Sequence, residues 1–313
     1  MNGEPAEAFR DYLARTRVRI DATLRRLLPG PQAKPLLIHR AMRYTALAEG
    51  KRLRPALVLL AYDTCGGRGR RADPVAAALE MVHAFSLIHD DLPAMDDDAV
   101  RRGKPANHVV FGEGIAILAG DALLALAFET LSGLRRTLGP ETAAGLVAEL
   151  GEAVGSLGVI GGQVLDLASE GKRVPRRTVV AIHGLKTARL FTAALRMGGM
   201  AAGASPARLR TLSAVGDAAG RAFQIVDDLL GAAGTFRELG REPGRDRERG
   251  KGTFPGAVGL EASHREAGRL LARARAAARA LPANRFLFEG FCDALDRRRR
   301  DASGGLLGMK GAA

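Results

Sequence analysis

Tryptophan is absent from this chain of 313 residues, and aromatic residues make up only 4% of it. With 47% hydrophobic residues drawn from runs of Ala and Leu, interleaved with Arg, that scarcity favours helix over sheet. Cysteine is nearly absent: Cys65 and Cys292 form neither a metal-ligand cluster nor a disulfide framework, which fits a reducing compartment. Lysine is scarce as well, limited to Lys34, Lys51, Lys104, Lys172, Lys186, Lys251 and Lys310, so the net charge of +13 is almost all arginine. A charge of that size raises the question of a polyanionic partner. Few aromatics, no recognition motif and cations interleaved with carboxylates argue against nucleic acid. Long apolar runs are also missing. The most apolar window, "GIAILAGDALLALAF", is interrupted by Asp121 and falls short of a membrane span, and "MNGEPAEAFRDY" has no apolar stretch of the secretory kind. The expectation is a soluble cytoplasmic protein with no stable membrane insertion.

What is present is an apolar stripe at helical spacing, cut by Gly- and Pro-rich connections at 27–35, 65–74, 91–107, 137–141, 169–177, 201–206, 231–256 and 281–285. The stretches between them suit helices, nothing alternates with period two for long enough to read as a strand, and no linker separates differently composed halves. The expected architecture is all-α, a single domain over residues 1–313, with a frayed tail at 301–313.

Two acidic clusters stand at the ends of apolar helices. On a helix expected over 75–91, His83, Leu87, Asp90 and Asp91 share one face, and Asp96 follows beyond Pro93. In "GRAFQIVDDLLG", Gln224, Asp227 and Asp228 share a face, with the small Gly216 and Gly220 on the same helix. A lone Asp cluster reads most simply as a solvated helix end, and the spacing is not that of a Ca²⁺ loop. A second cluster changes the reading: two helices presenting carboxylates to one cavity suit a hard cation such as Mg²⁺, with water and phosphate completing its shell. Cations able to grip phosphate lie in "EGKRLRP", "RRGK", "KTAR" and "RDRERGK". Mg²⁺ and diphosphate between them would let each sign screen the other.

Taken together, "GKRLRP", "HAFSLIHDDLPAMDDDAVRRGKPANH", "GGQVLDL", "KTARLF", "FQIVDDLL" and "GRDRERGKGTFP" resemble the trans-isoprenyl diphosphate synthases, the farnesyl/geranylgeranyl diphosphate synthase family, over residues 49–300 or so. The resemblance implies a head-to-tail prenyltransferase, an isoprenoid-synthase helical bundle around a deep central cavity, and a homodimer. Asp90 and Asp96 would bridge Mg²⁺ to the allylic diphosphate, Asp91 would support them, and Asp227 would hold another Mg²⁺. Arg101, Lys186 and Lys251, with Thr187, Gln224 and a less secure Arg241, would face the allylic diphosphate. Lys51, Arg54, His83 and Arg102 would bind isopentenyl diphosphate; His83 as a core histidine, and Arg54 and Arg102 as a solvated face, are the plainer alternatives.

Two departures stand out. Gly231 replaces the third aspartate of the second motif, and Arg241 stands where the family usually has Lys. Product length would depend on the floor of the cavity, where Phe85 and Ser86 stand. An aromatic ring there implies farnesyl diphosphate (C15), with geranylgeranyl diphosphate (C20) as the alternative. A terpene cyclase would not need the second set of cations, and a non-catalytic modulating subunit would be expected to lose more of the aspartates.

Overall fold

Proline and glycine punctuate the chain largely where the sequence places them, and the segments between wind into helices. The computed structural model describes residues 4–233 and 250–309. In chain order the helices are α1 (Pro5–Leu27), α2 (Leu36–Ala46), α3 (Leu53–Thr64), α4 (Asp73–Asp90), α5 (Asn107–Phe111), α6 (Glu113–Ser132), α7 (Pro140–Val154) and α8 (Val159–Ser169). Then follow α9 (Arg176–Ile182), a π-helical segment (His183–Ala188), α10 (Arg189–Ala201), α11 (Pro206–Ala233), α12 (Phe254–Val258), α13 (Leu260–Ala278) and α14 (Arg285–Met309). The helices distribute over two compact units, one of Leu13–Leu150 with Met197–Ala204, the other of the remaining described residues.

In the first unit α4 is the central helix. Asp73 and Pro74 occupy its first turn, where a missing N–H is tolerated, and Val75–Met81 are buried on every side. α6 lies against it closely: a Cβ on Gly120 would stand 2.2 Å from His89 Nε2, so a larger residue would have to displace that ring. Asp73, fully buried, is held by Arg19 of α1 and by Arg70.

In the second unit α11 packs against the π-helical segment and α10. Cβ atoms on Gly216 and Gly220 would sit 2.6 Å from the Cα atoms of Thr192 and Ala188. The small residues therefore admit a neighbouring helix. Gly162 of α8 does the same against the backbone of Lys186.

Three expectations are corrected. A two-stranded hairpin does form, pairing β1 (Val100–Arg101) with β2 (Lys104–Pro105); strands of two residues carry no readable alternation. α14 runs helically to Met309 rather than fraying from residue 301, with Arg299 and Arg300 paired to Asp296 one turn back. The apolar window is longer than it reads, because α6 and the turn after it make one stretch, Glu113–Arg136. That stretch and Pro140–Ser169 are each long and apolar enough to cross a membrane by length and composition.

Candidate active site

Pro93 disfavours helix at Leu92, so α4 stops, and the chain folds back over its own end. The amides of Asp96 and Asp98 donate to the carbonyls of Asp90 (2.7 Å) and Asp91 (3.1 Å), and Asp97 takes a left-handed conformation (φ 44°) to close the loop. The fold-back gathers Asp90, Asp91, Asp96 and Asp98 at one helix end. Asp91 is buried, and that burial raises its carboxyl pKa while Arg101 pulls it back down. Arg101 donates from Nε to Asp91 (2.8 Å) and from a terminal nitrogen to Asp98 (3.0 Å). The cation assigned to the allylic diphosphate is thus fixed on the carboxylates beside it.

The hairpin sets the next cation. Its two-residue turn, Arg102–Gly103, has positive φ at both positions (53° and 73°), the geometry that matches strand twist. Arg102 then lies over Gly50, where a Cβ would come within 2.8 Å of its guanidinium. Burial lowers the pKa of Arg102, and the neighbouring Arg52 and Arg101 push the same way against Glu80. Arg54, at the start of α3, approaches His83 of α4 at 3.3 Å. Arginine has no acceptor, so His83 Nε2 accepts and its proton sits on Nδ1. Burial, then the guanidinium charges of Arg54, Arg102, Arg101 and Arg52, hold His83 well below the usual imidazole pKa, hence neutral. Lys51 is exposed just ahead. Phe85 is buried, with its ring edge-on to His89 (centroids 5.3 Å apart), and Ser86 donates its hydroxyl to the His83 carbonyl.

In the second unit a π-helical turn carries Lys186 and Thr187, a geometry common where a helix serves a ligand. Lys186 Nζ lies 2.7 Å from Asp166 of α8. Thr187 donates to Gln224 Oε1 (2.6 Å), and Gln224 Nε2 donates to Asp228 Oδ1 (3.0 Å). Asp228 is buried, and its other oxygen accepts from His183 Nε2 (3.1 Å) and from the Phe254 amide (2.7 Å). Of the aspartate pair, Asp228 is therefore an anchor, which ties α11 to the π turn and to the start of α12. Asp227 lies 3.8 Å from Arg298. Lys251 is half-buried ahead of α12, Gly231 is buried within α11, and Arg241 lies outside the described residues.

Sequence reasoning did not single out Asp98, Asp166 or Gln163. Gln163, 7% exposed, makes no hydrogen bond with either side-chain atom among the described residues. The signal was available in "GGQVLDL", whose Gln163 and Asp166 share a face at i, i+3.

The donor chemistry fits Mg²⁺ accompanied by phosphate. The candidate ligands are carboxylate oxygens, hard donors, and no three acidic, His or Cys groups among the described residues converge to cage an ion alone. Mg²⁺ is ordinarily held in that way, by one or two carboxylates with substrate phosphates and water.

The model of the polyprenyl synthetase family matches residues 35–281. The chain belongs to that family. Among relatives of this polyprenyl synthetase, the geranylgeranyl diphosphate synthase of Cyanophora paradoxa is 40% identical over 265 residues, covering 84% of this chain and 88% of that protein. The large subunit 1 of the heterodimeric geranylgeranyl pyrophosphate synthase of Arabidopsis thaliana is 44% identical over 250 residues, 78% of this chain and 67% of that one. A solved structure of an FPP/GFPP synthase from Zymomonas mobilis superposes with a TM-score of 0.79 at 34% identity, covering 95% of this chain and 99% of that one. The family consists of trans-isoprenyl diphosphate synthases, so the chain is a prenyltransferase with an all-α fold.

Proposed function

We propose that this polyprenyl synthetase is a Mg²⁺-dependent, homodimeric head-to-tail enzyme that condenses isopentenyl diphosphate with an allylic diphosphate to give geranylgeranyl diphosphate (C20). The observation that carries the condensation is the cationic group around a neutral His83, about two turns before the acidic end of α4. Lys51, Arg54, His83 and Arg102 hold the isopentenyl diphosphate, with the double bond placed for attack. Asp90, Asp96 and Asp227 would hold Mg²⁺, which when bound neutralises charge on the departing diphosphate. Lys186 and Lys251 meet that same developing charge. Thr187 fixes the direction of the Gln224 oxygen, which can face positive charge on the allylic carbon. The proton lost at the end can pass to the released diphosphate, so no side-chain base is required.

The C20 product is favoured by the relatives named for it, at 40% and 44% identity. Farnesyl diphosphate, expected from the ring of Phe85, is the second reading. Its weakness is that the ring packs edge-on against His89 in the α4–α6 layer. Incubation with dimethylallyl diphosphate, labelled isopentenyl diphosphate and Mg²⁺ separates the two. Mainly C20 product is expected; mainly C15 would restore the farnesyl reading. Activity should stop with EDTA and in Asp90→Ala, and a near-normal rate in either case would sink the proposed mechanism.

A further inference from the structure

Between Lys51 and Arg54 lies a third cation with a different environment. Arg52 is only 3% exposed, and its backbone is left-handed (φ 49°, ψ 38°), a conformation that a long side chain keeps only where its surroundings hold it. Those surroundings are specific. Nε lies 2.8 Å from Asp21 of α1, one terminal nitrogen 2.6 Å from Glu80 of α4, and the other 2.8 Å from the Ala48 carbonyl after α2. Burial opposes the charge on Arg52, but the two carboxylates more than offset it and raise its pKa. Glu80 precedes His83 by three residues, so the helix that supplies His83 also anchors the turn that supplies Lys51 and Arg54.

We infer that Arg52 is the positioning residue of the isopentenyl diphosphate site: its guanidinium, forked between Asp21 and Glu80, sets the left-handed turn that carries Lys51 and Arg54 relative to His83. This rests on the function proposed above. A buried ion pair of this kind is a poor source of stability, because desolvation cancels much of the attraction. What it does supply is direction, since a planar fork bonded to two carboxylates has one orientation. A lysine would keep the charge, but its compact ammonium has no fixed plane to set a direction.

The test uses the full chain and three variants. Arg52→Gly accepts positive φ without strain but leaves the turn unpinned, Arg52→Lys keeps the charge, and Glu80→Gln keeps the shape. Steady-state kinetics, calorimetric titration with isopentenyl diphosphate and thermal melts are read together. Arg52→Gly is expected to raise KM and Kd for isopentenyl diphosphate about tenfold or more, with KM for dimethylallyl diphosphate changed less than about twofold. Arg52→Lys should fall between it and the wild type. Glu80→Gln should shift the same constant without adding to Arg52→Gly, because the two act as a unit. Unchanged affinity for isopentenyl diphosphate in a folded Arg52→Gly protein, or equal losses for both substrates that track the melting temperature, would overturn the inference alone. A wild type that neither binds nor consumes isopentenyl diphosphate would overturn the functional reading and this inference with it.

Discussion

His83 shows how much one side chain can report. Its imidazole is neutral in the fold because it is buried among guanidinium groups, so its folded pKa lies well below that of an unfolded histidine near 6.5. As pH falls through that unfolded value, the unfolded chain takes up a proton that the native protein refuses, and stability declines. Melting temperatures measured between neutral and mildly acidic pH should therefore drop, and His83→Gln should flatten part of that slope. An equal slope in the variant would assign the pH dependence to other groups. Gln163 makes the opposite case. A buried amide with no partner costs roughly 1–3 kcal/mol, so Gln163→Leu should raise the stability of the ligand-free protein by about 1 kcal/mol. If the amide faces substrate, the same change should lower turnover tenfold or more. Thermal melts and kcat on one preparation check both halves, and a loss of stability would mean that the amide is satisfied in solution.

At the scale of elements, the end of α4 and the hairpin after it build most of the first-unit site. Phe85 sits on the same helix, a little over one turn before Asp90. Phe85→Ala should open a cavity beside His89, lower stability by about 3–5 kcal/mol before relaxation, and lengthen the product beyond that of the wild type. Products of unchanged length, read by chromatography, would place the chain-length limit on another helix. α4 itself was legible in the sequence because a largely apolar run at helical spacing is closed off by Pro93. The hairpin was not, since its information resides in a Gly103 and in an Arg102 that adopts positive φ without being glycine. Asp228 was legible as a carboxylate but not as an anchor: its partners, His183 and the Phe254 amide, are 45 and 26 residues away in the chain. Arg52 was hidden for the same reason, as one cation among three until burial sets it apart. The tail from residue 301 reads as frayed, and the pairing of Arg299 and Arg300 with Asp296 one turn back supports the helix just before it.

At the scale of the molecule, apolar side chains are left facing outward. On α5, Val109 and Val110 are exposed, and on α6 Ile117 and Leu118 follow at 44% and 52%. α8 and the turn before it expose Leu157, Ile160 and Val164, the first at 81%. Surfaces of this kind support the homodimer proposed above. Leu118→Arg should then shift the protein from dimer to monomer in size-exclusion chromatography with light scattering, with helical content retained by circular dichroism and a melting temperature that no longer depends on protein concentration. A wild type that elutes as a monomer would remove the proposal.

One consequence concerns insertions and deletions rather than substitutions. α9, the π-helical segment and α10 run on without a break from Arg176 to Ala201, and a π turn holds one residue more than an α turn would. Deleting one residue within His183–Ala188 would let ordinary winding resume, and because the π turn absorbs the extra residue, α9 and α10 would keep their facing. Thr192, beyond the turn, would stay against the glycines of α11. The loss would fall on the turn itself, where Lys186 meets Asp166 and Thr187 meets Gln224. The same deletion placed within α10 would instead rotate everything after it by about 100°. A gap at the turn should therefore be tolerated by the packing and felt by the site, whereas a gap in α10 should be tolerated by neither.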